Sequence, residues 1–118
     1  MKKKHNLLLV SLLLVTCSFS ACNSSESPAD VAEKFTKAIA MGDIETAKMY
    51  MVEEAKPLLE LAVSMGQMEI QQNFSFELLQ ESIDGELAVV TYKGSQDDEP
   101  GDINLRKVEG EWKVYIEK

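Results

Sequence analysis

Few residues in this sequence of 118 could do acid–base chemistry. Tyr50, Tyr92 and Tyr115 could each supply a hydroxyl, and Asp43, Glu60 or Glu86 could supply a carboxylate. A carboxylate base beside a tyrosine hydroxyl in an apolar cavity moves protons, because burial tunes both groups. These six residues form no recognisable motif, and Tyr50 and Tyr92 are expected to pack through their rings with the hydroxyl at an edge. Asp97, Asp98, Glu99 and Asp102 offer oxygen ligands. Their order, D-D-E-P-G-D, lacks the alternating spacing, central glycine and later bidentate glutamate of a calcium loop. A charge run at a hairpin tip is ordinarily solvated. No catalytic residue, metal site or cofactor is therefore assigned.

The residue with the most specific chemistry is Cys22. Before it, Met1 to His5 is basic, Leu7 to Val15 is apolar apart from Ser11, and small residues follow. That order is a secretion signal, here residues 1–21. Its apolar run is too short for a bilayer-spanning helix, which needs about 20 residues. The run Phe19-Ser20-Ala21-Cys22 resembles the bacterial lipobox, with Phe19 in place of the usual Leu, Val or Ile. The resemblance implies cleavage between Ala21 and Cys22, a diacylglycerol thioether on Cys22 and acylation of the new N-terminus, with palmitate among the chains. Each buried methylene contributes about 0.8 kcal/mol, so two or three chains anchor firmly where one is marginal. The expected place is the bacterial cell envelope, lipid-anchored on the outer side of a membrane. Asn23 rather than Asp after the cysteine favours the outer membrane where a cell has two. The alternative is an ordinary secretory peptide cut near Ala21, leaving Cys22 a free thiol.

Processing also sets the charge. Removing Lys2, Lys3 and Lys4 takes Lys and Arg from 12 to 9 against 20 Asp and Glu, so the net charge moves from −8 to −11. Such a domain lacks the phosphate-neutralising patch that binds nucleic acid and is repelled by an anionic lipid surface. His5 and Cys17 leave with the signal. The mature chain then has no histidine and no unmodified cysteine, which excludes the usual triads, most zinc sites and an intramolecular disulfide. Residues 22–26, the lipidated cysteine and a polar tether, reach about 14 Å at most.

The remaining residues, 27–118, read as one domain. Ser27 can cap a first helix, Pro28 suits its first turn and Gly42 can end it left-handed. Val31, Phe35, Ala38 and Ile39 then form its core-facing stripe. Asp43 caps a second helix, with Ile44, Ala47 and Met51 on one side, that is expected to end near Val52. A third runs from about Glu54 or Lys56 to Gly66 with Leu58, Leu61, Ala62 and Met65 as its apolar side. From Asn73 the period falls towards two: Phe74, Phe76 and Leu78 alternate with polar residues up to an Asp84-Gly85 turn. Glu86 to Lys93 is apolar on both faces, as a central strand would be. A loop from Gly94 to Gly101 leads to Ile103–Val108, which pairs across Glu109-Gly110 with Trp112, Val114 and Ile116. The fold class is α+β, with three N-terminal helices packed on a curved four-stranded antiparallel sheet. Trp112 is expected to close the two layers.

Three stretches, SPADVAEKFTKAIAMGDIETAKMY, ELAVVTYK and LRKVEGEWKVYIEK, resemble a family of bacterial lipoproteins, domain of unknown function 4878. That family is similar to the nuclear-transport-factor-2-like, cystatin-like cone fold. The matching features are Phe35, Ala38, Gly42-Asp43 and Gly110-Glu111-Trp112-Lys113-Val114. The resemblance implies helices in the concave face of a curved sheet around a pocket of variable size, and no agreed activity. Phe35, Ile39, Met51, Met65, Phe74, Phe76 and Tyr92 could line that pocket, with Met41, Met49 and Met68 as further adaptable thioethers; the plainer reading, which a small domain's need for buried apolar surface favours, is that they fill the core. The expected function is a non-catalytic ligand- or partner-binding domain held at a membrane through Cys22, its occupant a small apolar ligand or an envelope protein. A small proton-transfer or hydrolytic enzyme using the same pocket is the alternative.

Overall fold

The computed structural model describes residues 26–95 and 99–117. Residues 1–21, read above as a signal, together with Cys22, Asp97 and Asp98, lie outside them. Helical segments come first: α1 (Pro28–Ala40), α2 (Ile44–Met49), a single 3-10 turn (Glu53–Ala55) and α3 (Lys56–Ser64). Four strands follow, β1 (Phe76–Asp84), β2 (Leu87–Gly94), β3 (Gly101–Val108) and β4 (Glu111–Tyr115), paired antiparallel in chain order as one open sheet. The architecture is α+β.

Local chemistry starts and stops α1. Ser27 Oγ accepts from the Asp30 backbone N–H at 3.1 Å while Asp30 accepts from Ser27 N–H at 3.3 Å, a reciprocal cap that satisfies two free donors. At the far end Gly42 sits at φ 76°, where the side chain of Ile70 would lie 3.1 Å from an added Cβ. Ser27→Ala removes half of the cap and is expected to destabilise the domain by about 1 kcal/mol, read as a lowered urea midpoint with unchanged slope.

Burial decides where the core lies. Val31, Ala32 and Ala38 of α1 meet Ala88 and Val90 of β2, Leu105 of β3, and Trp112 and Val114 of β4. Leu105 pairs directly with Ala88 and Val114, which puts all three on one face of the sheet. α1 is also tied to β1, where a Glu81 carboxylate oxygen accepts from the Ala29 N–H at 2.8 Å. The closing turn has both central residues left-handed, Glu109 at φ 54° and Gly110 at φ 84°, the hand that suits the sheet twist.

Several elements depart from the sequence reading. α2 stops at Met49, short of Val52, because the next residues join the sheet: Val52 N–H donates to Val114 O at 2.9 Å and Val114 N–H donates to Tyr50 O at 2.7 Å. Those two ladder bonds and the burial of Met51 and Val52 outweigh one more helical turn. β1 begins at Phe76 rather than before Phe74, and its register slips between Leu78 and Gln80, so Leu79 is a bulge. Ile116 falls beyond the end of β4 and is exposed. β2 lies inside the sheet, yet only one of its apolar faces is covered, since Leu87 and Val89 are exposed.

The largest correction concerns α3. Of its expected stripe, Leu58, Leu61 and Met65 are exposed and only Ala62 is partly covered, and Leu59 with Ala55 one turn earlier enters the core instead. α3 is held alongside α2 by Lys48, whose ammonium lies 2.7 Å from Glu60 and 3.3 Å from Glu45. Glu60 and then Glu45 raise the Lys48 pKa above its ordinary value. The stability that Lys48 gains from the raised pKa is present below the ordinary lysine pKa and, on the alkaline side, is lost as the pH rises through the raised one.

Candidate functional site

The cleft richest in the expected pocket residues opens between α1, the 69–74 segment and the middle strands. Phe35, Thr36, Ile39 and Ala40 line it from α1, Glu69, Gln71 and Phe74 from the connecting segment, and Tyr92 and Ile103 from β2 and β3; its volume is about 170 Å³. The cleft is open to solvent, and its volume is of the order that one aromatic ring fills.

Each wall has a local cause. Phe35 and Ile39 are four residues apart on α1 and so stand one above the other. Thr36 is buried between them in sequence, and its hydroxyl donates back to Ala32 O at 2.9 Å, so it is satisfied within its own helix. The connecting segment is held against α1 by Gln71 N–H donating to Ala40 O at 2.7 Å. Two neighbours pack against Tyr92. Phe76 stacks on it with ring centroids 5.2 Å apart and planes within 9°, and Gly101, its partner on β3, lies alongside the ring, where a Cβ would make ordinary contact at 3.5 Å. At Phe74 and Gln71 the cleft runs into a larger surface groove of about 470 Å³, which Lys37, Met41, Ile70 and Gln72 also line.

Of the seven residues read as pocket lining, four line this cleft together: Phe35, Ile39, Phe74 and Tyr92. Phe76 supports Tyr92 from below. Met51 is instead buried at the β4 edge beside Val114, and Met65 is exposed after the last turn of α3. Ile103 was legible as a pocket residue, since it alternates with Leu105 on the covered face. Gln71 and Glu69 carry no periodic signal and come to the cleft only because the chain folds back along α1.

The titratable candidates are dispersed. Asp43 accepts from Thr46 N–H at 3.3 Å as the cap of α2, Glu60 binds Lys48, and Glu86 is exposed in the β1–β2 turn. None of them lines the cleft that holds Tyr92. Tyr50 lines a separate cleft with Val31 and Trp112, and Tyr115 lies under the Arg106 guanidinium at 5.6 Å. The one carboxylate lining the Tyr92 cleft is Glu69, which is exposed. Among the described residues no group of three His, Cys, Asp or Glu is placed to hold a metal ion, and no helix is long and apolar enough to cross a membrane. Comparison with family models, curated proteins and solved structures finds no match to the chain.

Proposed function

We propose that the chain is a lipid-anchored protein of the bacterial cell envelope whose domain takes a small apolar ligand, or an apolar group of a protein partner, between α1 and the sheet. The observation that carries the reading is the make-up of the cleft. Phe35, Ile39, Phe74, Tyr92 and Ile103 converge there, and the one hydroxyl in its α1 wall is already satisfied. Three aromatic and two aliphatic side chains beside Glu69 and Gln71 give the mix of apolar surface and a few polar groups that suits a binding site. On this reading the helices and the curved sheet form a cone-like domain of the kind that the lipoprotein resemblance implies, and Cys22 carries the anchor. An enzyme in the same cleft has less support, because the one carboxylate lining it, Glu69, stands exposed and Asp43, Glu60 and Glu86 lie elsewhere.

The test is native mass spectrometry of the full chain released from its host membrane in mild detergent. The expected spectrum carries the acyl mass of Cys22 and a second, reproducible non-covalent mass. Phe74→Asp, a change at a half-buried turn position, should remove the second mass and leave the thermal midpoint nearly unchanged. A wild-type protein without the non-covalent mass would sink the ligand reading.

A further inference from the structure

Three aromatic rings reach the cleft from three separate elements: Phe35 from α1, Phe74 from the connecting segment and Tyr92 from β2. The whole chain has only four Phe, three Tyr and one Trp, so this one cleft holds a large share of its aromatic surface. Phe76 stacks on Tyr92 and holds that ring in place. Each of the three lining rings is only partly buried, which leaves ring surface for a ligand to meet.

Charge is the second observation. Among the described residues, the one charged side chain that lines the cleft is Glu69. Lys93 follows Tyr92 on β2 and so stands on the other side of the sheet, as does Asp102, which pairs with Thr91. Lys37 lines the adjoining groove, and its ammonium lies 2.7 Å from Glu33. The chain as a whole is acidic, with 20 Asp and Glu against 12 Lys and Arg.

A carboxylate beside aromatic rings discriminates between ligands. A neutral hydrocarbon seated there would shield Glu69 from water and return nothing for the lost hydration. A cation answers the charge of the carboxylate, and the negative faces of aromatic rings attract it as well. Alkylation of the cation suits these walls further. The one polar side chain of the α1 wall, Thr36, already gives its hydrogen to Ala32 O at 2.9 Å, and methyl groups on a nitrogen ask for no acceptor. A trimethylammonium group has about the bulk of one ring, which the volume of about 170 Å³ admits.

We propose that the cleft binds an organic ammonium, its alkylated nitrogen held among Phe35, Phe74 and Tyr92 and its charge met by Glu69; this rests on the reading of the cleft as a ligand site given above. The groove that continues the cleft offers the rest of such a molecule an apolar track to the surface along Met41 and Ile70.

The test is titration calorimetry of the full chain in a non-ionic detergent, with choline and with its uncharged isostere dimethylbutanol, in which carbon replaces nitrogen. Choline should bind about tenfold tighter. Glu69→Gln, a change at an exposed position that should leave the fold intact, should remove most of that advantage and leave the response to dimethylbutanol as it was. Phe74→Leu keeps apolar bulk, removes a ring and should weaken choline several-fold. Displacement of choline by phosphatidylcholine vesicles would assign the same chemistry to a lipid headgroup, and no displacement to a free solute. Equal binding of the two compounds, or tighter binding of the alcohol, would overturn the proposal and leave the cleft a site for neutral apolar groups. A Glu69→Gln variant that holds choline as tightly as the parent would overturn it too. Binding of neither compound also removes it, and the native mass spectrum then decides separately whether the cleft takes any ligand.

Discussion

Trp112→Ala should lower the stability of the domain by about 3 to 5 kcal/mol, read from urea unfolding of purified protein. The indole is 7% exposed and sits among the buried residues that join α1 to β4. Its opposite neighbour on β3, Lys107, places its ammonium 5.3 Å from the ring centroid, so truncation also removes a cation–π contact. Small domains hold only about 5 to 15 kcal/mol in all, so the variant should be largely unfolded at growth temperature if the native protein lies near the lower figure. A loss near zero would mean that the indole is not part of the core.

A second pair of variants makes the same chemical change at two places with opposite outcomes. Leu105→Ala should cost about 2 to 5 kcal/mol, because the side chain is wholly buried between Ala88 and Val114 and its loss leaves a cavity. Leu58→Ala should stay within about 0.5 kcal/mol of the parent, because its side chain is already half in water. If Leu58→Ala proved as costly as Leu105→Ala, α3 would be buried in solution and its stripe would belong to the core. Agreement with the expected split would leave the stripe free for an external surface.

Those expectations also mark what was legible in the sequence. Capping and turn chemistry were, since they are settled within four or five residues. Ser27 with Asp30 starts α1, Gly42 ends it, and Glu109-Gly110 closes the last hairpin. The antiparallel order of the strands followed from short connections. What could not be read was the choice between competing partners at a distance. Met51 has helical spacing from Ile44 and Ala47, yet Val114 offers its neighbours backbone hydrogen bonds, and the strand contact prevails. On α3 the period was plain but the direction was not. Leu58, Leu61 and Met65 compete with Ala55 and Leu59 for the core, and a nine-residue helix can present only one side. The cleft was half legible for the same reason: Phe35 and Ile39 follow from helix geometry, whereas Gln71 arrives through a backbone bond to Ala40.

The bridge between Met51 and Val114 has a consequence for how the chain is made. It joins the first half of the molecule to almost its last residues, and the core around it lacks Trp112 and Val114 until those residues are synthesised. Contacts of such long sequence separation form slowly, after the local turns. A chain emerging N-terminus first therefore cannot complete its fold until its last strand has been made. Its helices can flicker, but the sheet edge that would lock them has not yet arrived. That late closure delays completion of the core until the last strand is in place.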